Sequence, residues 1–328
     1  MPFRYVPILK TKSGEAVALE NLSPTQKDRV MPLFCVGETV PSTFAAKAAA
    51  AWAGRRLALD GVFHCNFTGS VAHYNSLFSN LVGLGIPVIP SIEFGAPAIY
   101  AAAVQAKVNQ SGLVLRVPIG SLPNALSYAA QSGWSTSAID LVVQLGHIGE
   151  FDPAMLGAAV NGFLPGHLQP GTWRSVALSS SAAPKDFGGL SPSVNIIPRR
   201  DWALWLQVNQ AVCPIDFSDY AQSHLDLTDP PGVAMAKATV SVRYAAVDHW
   251  VMIKGRPTTG HTGLAMSTQY RGHATSLISR PEFQQGVTSW GDSRISAIAA
   301  GTSTPGGRTQ WVEIGTNRHL SVVSSTLP

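Results

Sequence analysis

Eight short runs rich in apolar and β-branched residues recur between residues 5 and 220, each separated from the next by a stretch of helix-forming composition. They are YVPILK (5–10), VMPLFCV (30–36), LDGVFHCNF (59–67), IPVIPSIEF (86–94), GLVLRVPI (112–119), IDLVVQLG (139–146), WRSVALSSS (173–181) and VCPIDFSDY (212–220). Most are continuously apolar rather than alternating, the pattern of strands buried on both faces of a parallel sheet. Between them lie alanine-rich segments such as STFAAKAAAAWAGRRLA (42–58), SVAHYNSLFSNLVGLG (70–85) and DPAMLGAAVNGFL (152–164), several of which open on Ser or Asp in a cap position. Parallel strands need crossover connections, and eight such units close a barrel. The expected fold is therefore α/β: a (β/α)8 TIM-like barrel over residues 1–220, with a small β-rich insertion after strand eight.

The rest of the chain departs from that rhythm. KATVSVRYAAVDHWVMIKGR (237–256) alternates and is rich in Val, Tyr and Trp, which predicts two antiparallel strands joined around AAVD. Residues 221–280 are read as a β-rich insertion or cap over the barrel mouth. Residues 281–328 are read as a final helix and a closing segment, in which TQWVEIGTNRHLSVV (309–323) fits neither template.

A length of 328 residues with 45% hydrophobic content is enough for a large core. The 23 Lys and Arg against 19 Asp and Glu give a net charge of +4 without basic runs, so nucleic acid is not indicated as a partner. No uninterrupted apolar run reaches ~18 residues, and MPFRYVPILKTK lacks the apolar core and cleavage site of a signal peptide, so a soluble cytoplasmic protein with no membrane contact is expected. Cys35, Cys65 and Cys213 have no CxxC spacing and read as free, buried thiols. His64, His147, His224, His249 and His319 are scattered without HxH or HExxH, and no Walker or dinucleotide fingerprint occurs; neither metal nor cofactor is expected.

Working residues of such barrels sit at the C-terminal ends of strands and in the loops that follow. That rule selects Lys10, Lys12 and Glu15 after strand one, Cys35 after two, His64 and Asn66 after three, and Glu93 after four. Arg116 follows in five, Gln144 and His147 in six, Ser179 to Ser181 in seven, and Asp216, Asp219 and Tyr220 in eight. Alternate residues share a face, so Lys10 and Lys12 are expected to point together at the mouth, with Gly14 providing the turn that returns Glu15 to them. Unpaired buried charge is costly, so Lys10, Lys12 and Arg116 should meet Glu15, Glu93 or Asp219 in one polar layer. Two readings of that layer stay open. It is an ion-pair plug, or an anion pocket in which Lys10, Lys12, Arg116 and Tyr220 bind a phosphate or carboxylate while Glu15, Glu93 or Asp219 exchanges protons as the catalytic carboxyl. The serines of strand seven read as a polar strand exit more readily than as a phosphate site, and Trp202, Trp205, Trp250 and Trp311 as either core or pocket wall.

The stretch VPILKTKSGEAVAL (6–19), with DLVVQLG, FSDYA, SVRYAAVDHWVMIKG and WGDSRISAIAAG before WVEIGTNRHL, resembles the beta-protein family of phages and bacterial genomes, over almost the whole chain and in the same order. The resemblance implies a barrel-like chain in a phage or prophage context and supplies no reaction. Its family-like positions are Lys10, Lys12, Gly14, Glu15, Arg116, Asp219, Tyr220, Arg243 and Tyr244, which adds Arg243 to the ligand-binding set. Cys35 and Gln144 stand where relatives tend to carry acids, which counts against a metal or carboxylate-pair mechanism. Two classes of function follow: a barrel protein, enzymatic or not, that binds a small anionic ligand, or a non-catalytic module that engages a protein partner in a phage or phage-defence context.

Overall fold

The computed structural model describes residues 5–108, 111–211, 214–228, 239–284 and 286–328; Cys213 lies outside them. Eight parallel strands form a closed barrel: β1 (Tyr5–Lys10), β2 (Leu33–Cys35), β3 (Leu57–Asp60), β4 (Val88–Glu93), β5 (Leu113–Pro118), β6 (Ile139–His147), β7 (Ser175–Ser181) and β9 (Asp216–Asp219). Closure is made by β1, which sets Ile8 against Leu33 of β2 and Tyr5 against Phe217 of β9. The expected α/β barrel is thus present.

The continuous apolarity of the strands has a direct structural cause. Val6, Ile8, Leu33, Ala58, Ile89, Val114, Val142 and Ala177 fill the interior of the barrel. The residues between them, among them Tyr5, Leu9, Phe34, Leu59, Leu115, Leu141 and Phe217, pack outward in the core beneath the helices. A strand buried on both faces has no polar side to show.

The third strand is shorter than its apolar run suggested. It stops at Asp60, and Val62–Thr68 is a helix ended by Gly69 in the left-handed conformation, so His64, Cys65 and Asn66 are helical rather than extended. Gly61 makes the break possible, because a Cβ there would lie 2.7 Å from the Tyr74 ring. Gly61→Ala is expected to cost about 1–3 kcal/mol through overpacking, measurable as a lowered urea midpoint with an unchanged slope.

Beside the barrel lies a three-stranded antiparallel sheet in the order β10 (Val242–Ala245), β11 (His249–Ile253), β8 (Val194–Pro198). The hairpin falls where the alternating pattern placed it, with Ala245 opposite Trp250. The strand β8 comes from between β7 and β9, where no strand was expected; VNIIP is short, ends in proline and is half-exposed, as an edge strand is. Helices Met266–Ile278, Trp290–Ala299 and Arg308–Thr326 cover this sheet and share a third apolar core with it, around Val242, Tyr244, Val251, Tyr270 and Ile314. The last helix also packs on helix Ser13–Glu20. Gly14 belongs to that contact: a Cβ there would meet Glu313 and the Thr309 carbonyl at 3.3 Å. Its value lies in close helix packing and not in the turn that the sequence suggested. No helix among the described residues is long and apolar enough to cross a membrane.

Candidate functional site

At the C-terminal end of the strands the interior changes from apolar to polar, one strand after another. Lys10 of β1 stands opposite Cys35 of β2, Cys35 opposite Asp60 of β3, and Asp60 opposite Ser91 of β4. Glu93 is opposite Arg116 of β5, and Gln144 of β6 is opposite Ser179 of β7, itself opposite Ser218 of β9. Above this ring opens a cavity of about 790 Å³ lined by Glu93, Arg116, Gln144, Tyr220, His224 and Asp226, with Asn66 on its rim.

Arg116 is the centre of the ring. It is buried, with Nη1 3.1 Å from Asp60 Oδ2 and Nη2 3.7 Å from Glu93 Oε2. With its amide turned so that both ends are satisfied, Gln144 accepts from Nη2 at 2.7 Å and from Nε at 3.2 Å. Burial works against the charge of Arg116, but Asp60, with Cys35, Tyr220 and Glu93 adding to it, outweighs that cost and holds the guanidinium protonated. Asp60 is fixed in turn by the Ser91 hydroxyl at 2.8 Å and the Val62 N–H at 2.9 Å. The sequence reading missed Asp60, because extending the third strand to residue 67 moved its apparent end past this residue. The Asp-Gly pair at 60–61 was the available signal.

The other candidates divide. Glu93 lines the cavity and keeps about a third of its side chain exposed; burial raises its pKa against the pull of Arg116. Tyr220 also faces the cavity, its hydroxyl pushed up by burial. Lys10 sits on the inner face, and its Nζ donates to the Asp226 carbonyl at 3.4 Å. Glu15 is buried in the first turn of its helix and accepts from the Lys10 backbone N–H; burial carries its pKa up to about 8 despite Lys10 and Lys12. Lys12 turns away, donating to the Thr39 hydroxyl at 2.9 Å and carbonyl at 3.0 Å at the surface, so the two lysines do not share the mouth.

Asp219 and Arg243 fall outside the expected layer. Asp219 is one residue out of phase with inward-facing Ser218 and Tyr220. It points out of the barrel, where it accepts from Tyr5 Oη and His319 Nε2, both at 2.7 Å. Arg243 reaches the carbonyls of Gln222, Pro184 and Lys185 beside the accessory sheet. Ser179, Ser180 and Ser181 are buried, and none lines the mouth cavity. Trp202, Trp205 and Trp250 are core residues. Cys35 is also buried, its thiol pushed up to about 12, which removes it as a nucleophile at neutral pH. His224 of the cavity lining stands ring against ring with His147 at 4.8 Å, but no group of three or more His, Cys, Asp or Glu able to hold a metal occurs among the described residues.

What this end of the barrel offers chemically is a fixed cation, one solvent-reachable carboxyl of raised pKa, and a phenol, around a space large enough for a small molecule. A family model described as Beta protein matches residues 5–325, nearly the whole chain. No curated protein matches it.

Proposed function

We propose that this chain, which belongs to the beta-protein family, binds a small anionic ligand, of the size of a sugar phosphate or nucleotide, at the C-terminal mouth of its barrel. The observation that carries the reading is the replacement of apolar interior by a polar ring directly beneath an open cavity, with Arg116 in the lining. Arg116 spends most of its donors on Asp60, Glu93 and Gln144, so its role is to present a fixed positive edge. Lys10, whose one described side-chain hydrogen bond is 3.4 Å long, is the cation that moves to meet the anion. Glu15, largely protonated at pH 7, leaves that ammonium uncompensated. Tyr220 orients the ligand, and Glu93 is the group placed to exchange a proton with it. A phage or prophage setting for this activity is what the family resemblance implies.

A thermal-shift screen of nucleotides and sugar phosphates on the full chain tests the reading. At least one compound should raise the Tm, and Lys10→Gln should weaken that compound about tenfold, which is about 1.4 kcal/mol. Arg116 is the wrong residue to replace first, because its loss strands buried Asp60. A panel without a hit, or hits that bind the Lys10→Gln protein equally, would refute it.

The second reading, a non-catalytic module for a protein partner, is favoured by Cys35 and Gln144: two of the ring positions carry groups that neither ionise at neutral pH nor bind a hard metal. A complex recovered by pull-down from phage-infected cells and blocked by Glu93→Arg would support it. A monomer by light scattering that captures nothing reproducible would refute it.

A further inference from the structure

A second cavity, of about 310 Å³, is bordered by the accessory sheet, the loops after β7 and β9 and the start of the last helix. Two arginines line it, Arg243 from β10 and Arg308 from the first position of helix Arg308–Thr326. The guanidinium of Arg243 is held over the Phe187 ring at 5.2 Å, with Nη2 donating to the Pro184 carbonyl at 2.7 Å and Nη1 to the Gln222 carbonyl. All of these partners are neutral. Among the described residues no carboxylate forms an ion pair with Arg243, and the nearest, Asp186, is exposed and spends Oδ1 on the Gly188 N–H at 2.6 Å. Elsewhere in this fold a buried arginine has its acid: Arg116 has Asp60, Arg199 has Asp219, and Arg318 has Asp292.

A half-buried guanidinium whose described partners are all neutral is the arrangement that an external anion completes. The rest of the cavity suits the same purpose. Ser241 and Thr239 bring hydroxyls 2.8 Å apart, and the last helix meets the wall at Arg308, its N-cap Gly307 N–H being taken up by Gln310 Oε1 at 2.8 Å. Trp311 stacks on Tyr270 with ring centroids 5.0 Å apart and forms the apolar part of the wall.

We propose that this cavity is a second anion site, independent of the barrel mouth, which takes a phosphomonoester with its phosphate facing Arg243 and Arg308 and its organic part against Trp311. A phosphate of charge near −2 matches two guanidinium groups, and the space exceeds what the bare ion needs. Phenyl phosphate is the probe. Added to the full chain at about ten times its half-saturating concentration, it should raise the Tm by about 2 °C and change the tryptophan emission, while sodium chloride at equal ionic strength does neither. Arg308→Gln, at a half-exposed position, should abolish both responses, and Lys10→Gln should leave them intact. Arg243 also clamps three carbonyls, so Arg243→Gln is informative only if circular dichroism shows a native fold, and Arg308→Gln remains the deciding variant. Equal responses to chloride, or a phosphate response that survives Arg308→Gln, overturn the proposal. A response lost in Lys10→Gln and kept in Arg308→Gln places the anion in the barrel mouth and overturns this site while supporting the other.

Discussion

Asp219→Ala should lower the stability of this chain by about 3–5 kcal/mol, the usual consequence of removing one partner from a buried ion pair. The carboxylate is almost fully buried between the outer wall of the barrel and the last helix. It accepts from Tyr5 Oη and His319 Nε2 at 2.7 Å and from the Ala221 N–H at 2.8 Å, with Arg199 Nη2 at 3.4 Å. Burial alone would raise its pKa, but His319, Arg199 and Tyr5 together keep it below the ordinary carboxylate range, so the group is ionised in the folded chain. Neighbouring Asp201, also buried against Arg199, is driven upward by the same burial. Without Asp219, three buried donors lose their acceptor and Arg199 retains Asp201 as its one carboxylate partner among the described residues. Urea titration of the wild type, Asp219→Ala and Asp219→Asn checks this. The asparagine protein keeps the shape and should still lose more than half as much, because the charge is what the surrounding donors require. A loss below about 1 kcal/mol in both variants would show that the cluster is not a structural lock.

The barrel was legible because its signal is repetitive: apolar runs of strand length, separated by helical segments, admit few other solutions. The position of Asp219 was not, although its strand was. A shift of one residue exchanges the two faces of a strand, and FSDY (217–220) offers a candidate on each; only the pairing of Tyr5 with Phe217 decides that Ser218 and Tyr220 look inward. The last helix hid for a different reason. Every residue from Ile314 to Ser324 is buried, including Asn317, Arg318, His319 and Ser321, so no polar stripe marks an exposed face. Those polar residues are spent on specific partners. Asn317 accepts from the Gly291 N–H and donates to the Ala18 carbonyl, Arg318 pairs with Asp292, and His319 meets Asp219. Such a pattern is written by three-dimensional neighbours and has no period in the sequence. Lys10 and Lys12 show the same limit on a smaller scale: the strand ends at Lys10, and beyond it alternation no longer governs where a side chain points.

Glu15→Gln should flatten the dependence of stability on pH and make the chain more stable than wild type in mild alkali. Burial in the first turn of its helix raises the Glu15 carboxyl from 4.5 to about 8, whereas in the unfolded chain it ionises in the ordinary range. The folded state therefore binds the proton more tightly. The stability this confers is complete below pH ~4.5 and is lost as pH rises towards 8, at about 1.4 kcal/mol per pH unit. The shift of roughly three and a half units amounts to about 4–5 kcal/mol in all. Glutamine keeps an oxygen for the Lys10 N–H and has no proton to lose, so the two proteins should match near pH 4 and diverge to several kcal/mol near pH 8, as urea midpoints across that range would register. Parallel profiles would mean that Glu15 is ionised at neutral pH and paired with Lys10. The same titration reaches the barrel mouth: once Glu15 ionises, its negative charge offsets the ammonium of Lys10, so anion affinity there should fall above pH 8 in the wild type and persist in Glu15→Gln. A buried carboxyl that never touches the ligand would then set the pH at which the mouth releases it.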